Sequence, residues 1–168
     1  MEIKNITVLG SGIMGHGIAQ ISAMAGYNVV LRDIEQQFLD KAMEKIKWSL
    51  DKLVSKEKIS EDQQNGIFSR IKPIVDLNDA VRDSDLVIEA VPEIMDLKKK
   101  VYAELDKASN DQVIFASNTS TLPITEIANT ISRPDKFIGI HFFNPPLLMK
   151  LVEVIPGQET SKDVIDLT

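Results

Sequence analysis

The run Val8-Leu9-Gly10-Ser11-Gly12-Ile13-Met14-Gly15 prescribes a strand, a tight turn and a helix in that order. Gly10, Gly12 and Gly15 form G-x-G-x-x-G behind an apolar run and ahead of a helical pattern. Gly10 permits the turn out of the strand. Gly12, lacking a side chain, lets a pyrophosphate approach the backbone, and Gly15 lets the helix pack closely on the strands. Phosphates then meet the free N–H groups and positive dipole end of the helix. A second apolar run, Val29-Val30-Leu31, leads through Arg32 to Asp33, the distance at which a carboxylate meets an adenosine ribose. Gly10, Gly12, Ile13, Met14, Gly15 and Asp33 are therefore candidate cofactor-binding residues. Asp33 favours NAD over NADP. A 2′-phosphate roughly 4 Å from its charge would be repelled by about 4 kcal/mol at an effective dielectric of about 20. Arg32 is the residue that could turn toward such a phosphate.

The whole chain is expected to be one α/β domain with a mostly parallel, doubly wound sheet and helices on both faces. Its 168 residues suit a single domain. With 43% apolar and 26% charged residues the composition is that of an ordinary globular protein. No apolar run approaches a membrane span, and a first strand from Ile3 leaves no room before it for a signal peptide. The absence of cysteine excludes disulfides, thiol catalysis and Cys-based metal sites, and suits a cytoplasmic setting. A net charge of −6 argues against general nucleic-acid binding. No metal site is expected.

Strands are predicted over 3–9, 28–31, 71–75, 85–91, 113–117, 137–140 and 151–155. Helices are predicted over 13–25 and 94–108, with a long one after Asp33 marked by Phe38, Ala42, Met43, Ile46, Leu50 and Leu53. Ser60 to Gln63 opens another with a capping-box signature. A short helix is expected near Ile124 to Asn129, and Thr160 or Ser161 caps a last one. Alternation of strands and helices implies the parallel sheet.

Of the two histidines, His16 lies in the first turn after the glycine motif and reads as a surface or packing residue. His141 ends the apolar strand Phe137-Ile138-Gly139-Ile140, and ligands of open α/β sheets bind beyond the carboxyl ends of strands. Ser117-Asn118-Thr119-Ser120-Thr121 follows another strand and opens on the same edge. By composition it is either a polar site or a turn-and-cap cluster. Glu153 interrupts an apolar strand, so it faces solvent or is paired. Paired with His141, it would orient the ring and stabilise the imidazolium.

The chain resembles the short-chain L-3-hydroxyacyl-CoA dehydrogenases, most nearly their bacterial 3-hydroxybutyryl-CoA branch. The resemblance runs from Ile6 to the C-terminus through the glycine motif extended to His16-Gly17-Ile18-Ala19-Gln20, Ala116-Ser117-Asn118-Thr119-Ser120, His141-Phe142-Phe143-Asn144-Pro145 and Met149-Lys150-Leu151-Val152-Glu153-Val154. It implies an NAD-dependent oxidoreductase acting on an acyl-CoA substrate. In it His141 is the catalytic base and Glu153 its carboxylate, while Ser120 and Asn144 hold the substrate oxygen and the histidine in register. It further implies Glu93, Lys98 and Asn118 at the nicotinamide end of the cofactor, and Ser49 and Lys56 near coenzyme A. Lysines 45, 47, 52, 56 and 58 form either a basic patch for that polyanion or a solvated helix face. Full-length members of the family are homo-oligomers with a helical C-terminal domain for substrate closure and dimerisation. On that pattern residues 1–168 are the NAD-binding domain alone. The run Pro145-Pro146-Leu147-Leu148 departs from the family's usual spacing of prolines. Two alternatives stay open: a stand-alone NAD(H)-binding module without turnover, and a dehydrogenase of a 3-hydroxy acid not linked to coenzyme A.

Overall fold

The computed structural model describes residues 2–168. Its strands are β1 (Asn5–Leu9), β2 (Asn28–Arg32), β3 (Ile71–Ile74), β4 (Leu86–Glu89), β5 (Ile114–Ser117), β6 (Phe137–Phe142) and β7 (Val152–Pro156). They form one sheet in the order β3-β2-β1-β4-β5-β6-β7. All neighbours are parallel except β6 and β7, which run antiparallel. The order reverses between β1 and β4, so their connections leave in opposite directions and open a crevice at their carboxyl ends.

The helices are α1 (Gly15–Met24), α2 (Gln36–Ser55), α3 (Glu61–Ser69), α4 (Leu77–Val81), α5 (Met95–Ala108), α6 (Ile124–Ala128) and α7 (Lys162–Leu167). Successive strand residues feed opposite faces of the sheet. Val8, Ile88 and Ala116 join one core with Ile18 of α1 and Ile46 of α2, whereas Leu9, Val87 and Phe115 join a second with Tyr102 of α5 and Ile127 of α6. Strands buried on both faces read as continuous apolar runs, which is why the sequence shows them so plainly. Tyr102 packs edge-on against Phe137, with ring centroids 4.7 Å apart, and its hydroxyl donates to the Ala116 carbonyl at 2.9 Å. Burial, reinforced by the charge of Glu89, pushes that phenol well above its ordinary 10.0.

Several local signals act as expected. Ser60 caps α3 in a capping box with Gln63, and Ser161 caps α7 by accepting from the Val164 N–H at 3.3 Å. Thr160 instead donates its hydroxyl to the Phe137 carbonyl. On α2 the buried stripe is Leu39, Ala42, Ile46 and Leu50, and Phe38 turns outward to the crevice. Two elements had no expectation: α4, started by the Asp76 side chain accepting from the Asp79 N–H, and a 3₁₀ turn at Pro134–Lys136.

Candidate active site

The glycine turn leaves β1 where β4 lies alongside. Gly10 has φ +88°, and a Cβ there would stand 2.8 Å from the Ala90 carbonyl oxygen. At Gly15 a Cβ would stand 1.7 Å from the Gly10 carbonyl oxygen, which only glycine avoids. At Gly12 a Cβ would meet nothing within 4 Å, so the space over that backbone is open. No side chain caps α1, and its first turn carries no acidic residue. The N-terminus of α1 thus has no side chain of its own to satisfy its first N–H groups, an arrangement that fits a pyrophosphate. Helix α3, away from the crevice, is closed by Ser60 and has Glu61 and Asp62 in its first turn.

Asp33 stands at the end of β2 with one oxygen, Oδ2, held by the Ser11 N–H at 2.7 Å and the Ser11 hydroxyl at 2.6 Å. Its other oxygen accepts from the Ile34 N–H at 2.7 Å. The carboxylate is thereby fixed against the glycine turn. The Arg32 Nε–H donates to the Val75 carbonyl at 3.1 Å, across the β2–β3 edge. Beside Asp33 a mostly apolar cleft of about 720 Å³ runs between Ile34, Phe38, Ala90 and Val91, with Ile13 and Met14 on its wall. Its size and lining suit an adenosine.

Strand register builds the second half of the site. His141 and Glu153 are directly opposite on the antiparallel β6–β7 pair, so their side chains leave the sheet on one face. His141 Nδ1 lies 2.7 Å from Glu153 Oε2, and His141 Nε2 lies 3.0 Å from the Ser120 hydroxyl oxygen. An ionised carboxylate only accepts, so Nδ1 carries the proton of the neutral ring and donates it to Glu153. Nε2 then accepts from the Ser120 O–H. The imidazole is 15% exposed and Glu153 49%, so Glu153 is both paired and solvated. Phe143 packs on the ring with centroids 4.7 Å apart. Asn144 is exposed, and among the described residues its side chain makes no hydrogen bond. The expected contact between Asn144 and the histidine is not among the hydrogen bonds of the described residues.

The loop after β5 is tied down from beneath. Glu93 Oε1 accepts from the Thr119 hydroxyl, from the Ser120 N–H at 2.9 Å and from the Thr121 N–H at 3.3 Å. Burial alone would raise the Glu93 carboxyl, but these bonds and the Lys98 charge outweigh it and hold it below its ordinary 4.5. Lys98 is only 1% exposed, so it lines no open surface as the family pattern suggested. Its ammonium lies 2.6 Å from Glu89 Oε1 and 3.3 Å from Glu93 Oε2. Asn118 Oδ1 accepts from the Phe142 N–H at 2.9 Å, joining the ends of β5 and β6. Glu89, fully buried at the end of β4, was not anticipated. A signal existed, namely a carboxylate closing the apolar run Leu86-Val87-Ile88 with a lysine nine residues on. Thr119 also accepts from the Leu122 N–H at 3.0 Å, so the cluster is part turn and part site.

Ser49 and Lys56 stand on and at the end of α2. The Ser49 hydroxyl accepts from the buried Gln20 amide at 3.0 Å, and Lys56 is the exposed C-cap. Among the described residues no hydrogen bond joins either to His141, Glu153 or Ser120. Of the basic cluster, Lys47 pairs with Asp51, Lys52 lies over the Trp48 ring, and Lys45 lines the crevice beside Lys41.

A dinucleotide turn at the switch point of a mostly parallel sheet is the arrangement of an NAD-binding domain, and a histidine and a carboxylate stand together at the same edge of that sheet. The family model described as 3-hydroxyacyl-CoA dehydrogenase, NAD binding domain, matches residues 5–168. The chain belongs to this family and is its NAD-binding domain. It is 47% identical over 165 residues to the fatty acid oxidation complex subunit alpha of Idiomarina loihiensis, covering 98% of this chain and 23% of that protein. It is 45% identical over 161 residues to 3-hydroxybutyryl-CoA dehydrogenase of Clostridioides difficile, covering 96% of this chain and 57% of that one. The crystal structure of 3-hydroxybutyryl-CoA dehydrogenase from Escherichia coli K12 superposes with a TM-score of 0.96 at 36% identity, over 99% of this chain and 35% of that one. The chain thus spans 23% and 57% of the lengths of these two curated relatives.

Proposed function

We propose that this chain is the cofactor half of a dehydrogenase that interconverts (S)-3-hydroxyacyl-CoA, 3-hydroxybutyryl-CoA foremost, and the 3-ketoacyl-CoA. The observation that carries this reading is the hydrogen-bonded series Ser120, His141, Glu153, at the sheet edge where β5 and β6 end. The uncapped α1 N-terminus and Gly12 would hold the pyrophosphate, Asp33 the adenosine ribose, and Asn118 and Glu93 the rim at the nicotinamide end. When bound, NAD would accept the hydride that leaves C3 of the substrate, and NADH would return it in reverse.

The chain's own residues move the proton. His141 Nε2 takes it from the 3-hydroxyl, and Glu153 stabilises the imidazolium that forms. The Ser120 hydroxyl, already on Nε2, is placed to turn and donate to the developing oxygen charge. In reverse the imidazolium returns the proton to the ketone oxygen. Asn144, exposed on the rim, is free to bind substrate rather than the histidine. Ser49, Lys56 and the lysines of α2 are assigned to coenzyme A. No described helix is long and apolar enough to cross a membrane. The absence of cysteine suits a reducing compartment, and a cytoplasmic setting belongs to the proposal.

The test is substrate competition. NADH oxidation by this chain is expected to be faster with acetoacetyl-CoA than with free acetoacetate. Preference for the free acid would overturn the thioester assignment and favour a dehydrogenase of an unactivated 3-hydroxy acid.

A further inference from the structure

Glu89 and Lys98 form an ion pair sealed in the domain, 0% and 1% exposed, directly beneath the crevice. Removing two charges from water is expensive, and an apolar pair of similar volume often packs as well or better. A buried pair at this place therefore invites a reason beyond stability, and its hydrogen bonds supply one.

Both oxygens of Glu89 lead to the same loop. Oε2 accepts from the Ser117 hydroxyl at 2.8 Å, and the Ser117 oxygen accepts from the Thr119 N–H at 3.3 Å. Oε1 accepts from Lys98 at 2.6 Å and from the Val91 N–H at 2.7 Å. The same ammonium reaches Glu93 Oε2 at 3.3 Å and the Val91 carbonyl at 3.3 Å. Glu93 in turn accepts from the Ser120 N–H at 2.9 Å, and the Ser120 hydroxyl stands 3.0 Å from His141 Nε2. Two routes run from one buried carboxylate to the residue that touches the catalytic ring. One passes through Ser117 and Thr119, the other through Lys98 and Glu93. Backbone bonding adds to them, since the Asn118 N–H donates to the Glu89 carbonyl at 2.9 Å.

We propose that Glu89 is a positioning residue: its buried carboxylate sets the 117–121 loop so that the Ser120 hydroxyl meets His141 Nε2. It touches neither substrate nor cofactor. With a neutral amide at 89, the Lys98 ammonium keeps only Glu93 as a charged partner and draws it inward, away from the Ser120 and Thr121 N–H groups. The Ser120 hydroxyl then drifts off the ring while the sheet stays intact.

The proposal rests on the dehydrogenase reading for its purpose but not for its test, which needs no turnover. The chain has two histidines, so the ¹⁵N resonance of His141 Nε2 is assigned by comparison with His16→Ala. It is measured at one pH in the wild type, Glu89→Gln, Ser120→Ala and the double variant. The expected result is that Glu89→Gln moves the Nε2 resonance in the same direction as Ser120→Ala, and that the double variant adds nothing to Ser120→Ala alone. An unmoved resonance in a folded Glu89→Gln, or additive movements in the double variant, overturns the proposal. Should Glu89→Gln fail to fold, Ser117→Ala severs the Oε2 route alone, and an unmoved Nε2 resonance there overturns it equally. A wild-type chain that shows the Nε2 signature but oxidises no NADH with acetoacetyl-CoA would count against the dehydrogenase reading instead, and leaves the resonance test of Glu89 unaffected.

Discussion

Asp33 shows how one residue carries two tasks. One oxygen is spent on Ser11, which locks the end of β2 to the glycine turn, and the carboxylate stands beside the cleft proposed for adenosine. The Nε–H of the arginine next to it is held by the Val75 carbonyl at 3.1 Å, which ties that side chain toward the β2–β3 edge. NADPH is therefore expected to bind at least about 100-fold more weakly than NADH, somewhat less than the unscreened repulsion of about 4 kcal/mol implies. Fluorescence titration of the two cofactors measures it, and equal affinities would contradict the role given to Asp33. The carboxylate position was legible because a βα unit of ordinary length puts the end of its second strand beside the turn. The engagement of Arg32 was not, since it depends on Val75, 43 residues further on just past the end of β3, a strand whose pairing the local sequence does not state.

Among the elements, the glycine turn and the loop after β5 have opposite sensitivities. Gly12→Ala meets open space, so stability is expected to change by no more than about 0.5 kcal/mol, while NADH affinity falls about tenfold or more. Gly15→Ala drives a methyl into the Gly10 carbonyl and is expected to cost about 1–3 kcal/mol or more of stability. Calorimetry beside cofactor titration separates them, and a Gly12→Ala protein with full affinity would contradict the pyrophosphate placement. The 117–121 loop depends on an ionised Glu93. Its folded carboxyl lies below the ordinary 4.5, so its contribution is complete above that value and fades as pH falls through the lower folded value. The stability gap between wild type and Glu93→Gln is expected to close on acidification, as followed by thermal melts across pH. A gap that widens in acid would contradict it. The buried strands were legible as apolar runs, and α3 by its capping box. The antiparallel sense of β7 was not, because neither its composition nor the length of the connection from β6 dictates direction. Helix α4 was missed because five residues hold too little periodicity to show.

For the molecule as a whole, topology does what no segment can. The reversal of strand order between β1 and β4 opens the crevice, and β5 and β6 bring Ser120 and His141 to the same edge. Antiparallel β7 then sets Glu153 opposite His141. Three sequence signals scattered over 34 residues, from Ser120 to Glu153, become one hydrogen-bonded series. Family resemblance pointed to that grouping, whereas spacing alone left Glu153 undecided between solvent and histidine. It is both, which a two-way reading of an apolar strand could not anticipate. Asn144 and Lys98 show the limit in the other direction, one turned out to the rim and the other sealed beneath it.

The most direct measurement is NADH oxidation with acetoacetyl-CoA, made on this chain beside His141→Ala. The account predicts turnover that falls at least about 100-fold in the variant, with NADH affinity unchanged. Equal rates in the two proteins would contradict the assignment of His141 as the base. No turnover in either, with NADH still bound, would contradict catalysis by this domain alone and leave it a cofactor-binding unit.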